Sequence, residues 1–151
     1  MKRTFTKYPS NYVRATKFFY DDTPVTTDGS WKLYMPATFE AAKSLAKMGG
    51  TTAIWDTSYT PYYFDTYMEK GPLFIFVNTS TGEKYQSHPA TRSWLYDAND
   101  RNLGKQALID FLDSHPNFAD VFAGQGYDFF YVKDDPEYGD INPRFASDFE
   151  D

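Results

Sequence analysis

The chain has no cysteine and only two histidines, and none of its apolar runs approaches the length of a membrane span. The first absence removes disulfides, thiolate metal ligands and cysteine nucleophiles from consideration. The second leaves His88 and His115 as the whole supply of imidazole, without the close ligand spacing of a histidine metal site. The third, with a start at Met1-Lys2-Arg3 that lacks the apolar stretch of a secretion signal, reads as a soluble intracellular protein making no membrane contact. Phosphate-binding glycine signatures are also missing. Met48-Gly49-Gly50-Thr51 is a glycine pair after a helix, with neither the Walker spacing and lysine nor a dinucleotide fingerprint. Asp97-Ala98-Asn99-Asp100 continues into Arg101-Asn102-Leu103-Gly104, which lacks the order of a calcium loop and reads as a turn before a helix. No cofactor and no metal are expected.

What the chain has in quantity is aromatic rings, 20% of its 151 residues, enough to build a core without covalent staples. Its charge is polarised. Residues 1–17 carry five bases and no acid, whereas residues 124–151 carry eight acids against two bases. Charged ends of opposite sign are solvated, pair with each other, or dock on oppositely charged partners.

Local patterns give an α+β domain: a small mixed or antiparallel sheet with two to three packed helices and an extended acidic C-terminal arm. Strands are expected at 11–20, 31–35, 51–55, 73–77 and 84–88, with another between Thr91 and Tyr96. Helices are expected from Thr38 to Met48, from Thr60 to Lys70 and from Leu103 to Ser114, with Pro116 beyond the end of the last. The globular domain spans 1–123, with its core ending near Phe122. From Gly124-Gln125-Gly126 onward, 124–151 reads as an arm whose aromatic residues are spaced among acids.

The densest aromatic cluster is Trp55, Tyr59, Tyr62, Tyr63, Phe64 and Tyr67. A short helix cannot bury all of these rings against one sheet, so some face outward, where tyrosine suits a protein interface. Asp56, Asp65 and Glu69 around them disfavour direct contact with a nucleic-acid backbone. The candidate protein-binding residues are therefore Tyr59, Tyr62, Tyr63 and Tyr67, with Asp134, Asp135, Glu137, Tyr138, Phe145 and Phe149 in the arm. The expected partner is another protein, and the same surface would serve a homo-oligomer. His115, at a helix end, suits capping; His88, before Pro89, is the better candidate for a chemical site, but no Asp/Ser pattern accompanies it.

From Trp31 to Asp100 the order of features resembles that of a group of small, mostly uncharacterised proteins of tailed bacteriophages and mobile elements. The shared features are the tryptophan strand Trp31 to Pro36, the Thr38-Phe39-Glu40-Ala41-Ala42 helix, and the Gly49 to Thr51 turn. A tyrosine-rich helix follows, then Gly71-Pro72-Leu73 and Gly82-Glu83-Lys84-Tyr85-Gln86. The likeness covers about half the chain. That group has a Trp-Cys pair after the turn, where this chain has Ala53-Ile54-Trp55. The resemblance implies a phage origin and a domain type, and transfers no activity. It points to a non-enzymatic protein that binds a phage structural protein or a host enzyme, acting in the host cytoplasm or the virion. A second expectation is an acidic inhibitor that mimics nucleic acid; a third is a hydrolase or nucleotide-binding enzyme using His88 and carboxylates.

Overall fold

The computed structural model describes residues 23–129. Within that range, β1 (Thr26–Asp28), β2 (Trp31–Tyr34), β3 (Phe74–Asn78), β4 (Lys84–His88) and β5 (Ser93–Asp97) form one antiparallel sheet. Their spatial order is their order along the chain. Two helices, α1 (Phe39–Lys47) and α2 (Pro61–Met68), lie between β2 and β3, and two more, α3 (Lys105–Asp113) and α4 (Pro116–Gly124), follow β5. The class is α+β, as the patterns predict. None of the helices described is long and apolar enough to cross a membrane.

Alternation along the strands divides the interior in two, because successive side chains point to opposite faces of a sheet. Leu33, Phe74, Phe76 and Leu95 join Leu108, Leu112, Phe118 and Phe122 of α3 and α4 in one cluster. Tyr34, Ile75 and Val77 join Ala42, Leu45 and Ala46 of α1 and Phe64 of α2 in the other. Covered on both sides, β3 is buried at every residue. That is why the most apolar run of the chain sits there. Ring packing dominates the first cluster: Trp31 stacks on Tyr85 at 5.2 Å, and Phe74 lies on Phe122 at 4.0 Å.

The helix ends follow local chemistry. The Thr38 hydroxyl accepts from the Ala41 amide at 3.1 Å to start α1, and Gly49, at φ 77°, turns the chain out of it. Thr60 caps α2 in the same way, with Pro61 where no amide donor is needed.

Three expectations change. Residues 51–55 form no strand. The Ala53 and Ile54 amides donate to Ala46 and Ala98 carbonyls, which pins an irregular segment between α1 and the end of β5. Pro116 does not close the helical region but occupies the first turn of α4, a position as compatible with its fixed φ as a helix terminus. The core continues past Phe122, since Phe129 is buried in the first cluster beside Trp94. The expected strand at 11–20 and the acidic arm from 130 onward lie outside the described residues.

Candidate functional site

The tyrosine-rich segment splits into three environments. Trp55 and Phe64 are core residues, and the Trp55 indole N–H donates to the Asp97 carbonyl at 2.7 Å, tying the segment to β5. Tyr67 is half-buried against His88, with ring centroids 4.9 Å apart. Tyr59, Tyr62 and Tyr63 face outward, at 79%, 72% and 44% exposure, and Ile54 is exposed as well. Tyr59 belongs to the turn before α2 rather than to the helix, so the spacing of four from Tyr59 to Tyr63 and Tyr67 does not describe one helical face. Asp56, Asp65, Glu69 and Lys70 are exposed in the same stretch. The arm residues Asp134, Asp135, Glu137, Tyr138, Phe145 and Phe149 lie outside the described range.

Beside this surface is a cavity of about 150 Å³ lined by Asp56, Tyr67, Gln86, His88, Ser93, Tyr96 and Asp100. It exists because β4 turns polar residues, Lys84, Gln86 and His88, toward the α1/α2 side, where β3 turns Ile75 and Val77. Each of the three is bonded. Lys84 donates to the Thr51 carbonyl, and the Thr57 hydroxyl donates to Gln86 Oε1 at 2.6 Å. His88 Nε2 lies 2.9 and 3.0 Å from the Tyr67 and Gly71 carbonyls, so it carries the proton, and Nδ1 takes the Thr91 hydroxyl at 2.7 Å. Burial holds the His88 imidazole below its ordinary pKa, an effect only partly offset by those two carbonyls.

Two backbone carbonyls and the Thr91 hydroxyl, rather than a carboxylate, hold the ring nitrogens of His88. His115 has a comparable role, its Nδ1 2.7 Å from the Phe111 carbonyl and its ring stacked on Phe118 at the α3–α4 junction.

The acids at the cavity differ in their pairing. Asp97, outside it, holds the Arg101 guanidinium at 2.8 Å. Asp56 and Asp100 have no such cation among the described residues. Partial burial raises the Asp100 carboxyl above its usual range, and the neighbouring Asp56 and Asp97 charges add to this. The Tyr67 phenol is raised by burial first and then by Asp56, Tyr96 and Asp100.

Gln86, Ser93, Tyr96 and Asp100 are lining residues that pattern reading misses. No motif joins them to Asp56; the bonds from Ile54 to Ala98 and from Trp55 to Asp97 bring the two loops together.

These features define an antiparallel α+β domain with helices on both faces of its sheet, an outward tyrosine surface, and a polar cavity behind it. No protein-family model matches the chain, and no curated protein and no solved structure matches it at a significant level.

Proposed function

We propose that the protein is a non-enzymatic binding module that docks on another protein through Tyr59, Tyr62 and Tyr63. The observation that carries this reading is the concentration of exposed rings. Of the large apolar side chains that face solvent among the described residues, all but Leu103 fall between residues 54 and 63. Tyrosine supplies large contact area with little rotamer entropy to lose, and it is enriched where interfaces concentrate their energy. The acids beside the rings, Asp56, Asp65 and Glu69, suit a partner whose contacting rim is basic. The resemblance to phage and mobile-element proteins supports a phage structural protein or a host factor as that partner, met in the host cytoplasm or in the particle.

The test is a Tyr59→Ala, Tyr62→Ala, Tyr63→Ala triple variant of the tagged full chain, compared with wild type in phage-infected cells. The variant should keep its melting temperature and lose one protein that wild type retains. An unchanged set of captured proteins would refute the docking surface. Recovery of that partner from purified particles would favour a virion role, and recovery from host lysate alone a host-factor role.

A further inference from the structure

We propose that the cavity between Asp56 and Asp100 is a binding site for a hydroxyl-rich ligand, a single saccharide ring, that does not use the docking tyrosines Tyr59, Tyr62 and Tyr63. Its volume of about 150 Å³ falls below the range of ~300–1,000 Å³ occupied by drug-sized ligands. One ring fits this scale. The floor carries the decisive group. Gln86 is 8% exposed and lines the cavity; its Oε1 is taken by Thr57, and its amide nitrogen has no hydrogen-bond partner among the described residues. The walls add phenols from Tyr67 and Tyr96, and the Ser93 hydroxyl. Asp56 and Asp100, both exposed, supply the acceptors.

Four ligand chemistries can be weighed against that lining. An anion meets two carboxylates and no compensating cation. A metal ion finds no group of three histidine or carboxylate ligands among the described residues. An organic cation satisfies Asp56 and Asp100 but brings no acceptor to the Gln86 amide donor on the cavity floor. A sugar hydroxyl both donates and accepts. Adjacent hydroxyls can give to the carboxylates while another takes the Gln86 amide proton, so a polyhydroxylated ring matches every polar group present. The match holds even if the Gln86 amide is turned over, because a hydroxyl serves either end.

The test is an NMR titration of the full chain with methyl α-glucoside, α-galactoside and α-mannoside, and separately with trisaccharides of the same sugars. Agmatine and calcium chloride serve as the cationic alternatives. At least one glycoside should move the Gln86 side-chain amide resonances and the Ser93 and Asp100 backbone signals. Asp56→Asn and Asp100→Asn, both at exposed positions, should each weaken that binding roughly tenfold, as loss of a charged hydrogen-bond acceptor implies. Tighter binding of a trisaccharide assigns the site to the terminal residue of a glycan; equal binding assigns it to a free sugar. Either result supports the site. Silence at these resonances with every glycoside, a response to agmatine or calcium alone, or glycoside binding unchanged in the Asp56→Asn, Asp100→Asn double variant would overturn it. The tyrosine triple variant should bind the glycoside as wild type does, which separates this outcome from failure of the docking surface.

Discussion

At the scale of single residues, the buried polar groups of β4 give the sharpest expectations. His88 bridges two backbone carbonyls near the end of α2 to the Thr91 turn. His88→Ala should therefore cost about 2–4 kcal/mol, through unsatisfied carbonyls and a cavity. Denaturant unfolding would measure it, and a loss within experimental error would mean that the ring is not a brace. Linkage sets the pH dependence. The folded imidazole titrates below the unfolded value of 6.5, so the unfolded chain binds the proton first as pH falls. Stability should decline from about pH 6.5 downward until the folded ring itself protonates, and His88→Gln should flatten that part of the profile.

Lys84 shows the same sign at higher pH. Burial lowers its amine below the ordinary 10.5, so wild-type stability should rise with pH from the folded pKa toward that value. Lys84→Met should raise the melting temperature at pH 7, and the gain should shrink as pH approaches 10.5. A loss at pH 7 would show that the bond to Thr51 outweighs desolvation. None of this is legible in Lys84-Tyr85-Gln86-Ser87-His88, which reads only as a strand. Only the loop packed over it turns a water-facing row into a buried one.

At the scale of elements, the caps and turns are testable one by one. Thr60→Ala removes the acceptor for the Tyr63 amide and should cost about 1 kcal/mol. Because α2 carries Tyr62 and Tyr63, amide exchange across 61–64 should accelerate with it. Gly82, at φ 80°, faces Gly49 so closely that an added Cβ would sit 2.8 Å from the Gly49 carbonyl oxygen. Gly82→Ala should cost more than 1 kcal/mol, roughly 2–3, whereas Gly29→Ala, with open space around it, should pay only for its backbone conformation.

Most elements were legible because periodicity and caps agree: Thr38 before an alanine-rich stretch, Thr60-Pro61 before the tyrosines, and alternating apolar residues in β2. The exceptions have physical reasons. Pro116 is compatible with both the end of one helix and the first turn of the next, and the apolar density of Phe118, Val121 and Phe122 was the available signal for the second. Residues 51–55 carry strand-like composition, but their donors go to Ala46 and Ala98 carbonyls, outside any ladder. Of the candidate site, the outward tyrosines followed from an excess of rings on a short helix. The cavity did not, since loop-to-loop bonds assemble it.

At the scale of the whole molecule, the two interior clusters share β3 and divide the remaining elements between them. Amide exchange should therefore be slowest in Phe74–Asn78, with β1 at the sheet edge faster. The first cluster also reaches to Phe129. A chain ending at residue 123 should be measurably less stable than one ending at 129, by about 2–4 kcal/mol for the lost aromatic burial. Equal stability of the two would place the end of the core near Phe122 after all.

The agreement between strand order and chain order has a consequence for synthesis. Each new strand finds its neighbour already made, and the one long detour, residues 35–73, carries its own helices and returns to the strand it left. Among the described residues, no strand must thread between finished neighbours. A chain leaving the ribosome from its N-terminus can thus lay down the sheet strand by strand, with one apolar face covered early by α1 and α2 and the other left open until α3 and α4 emerge.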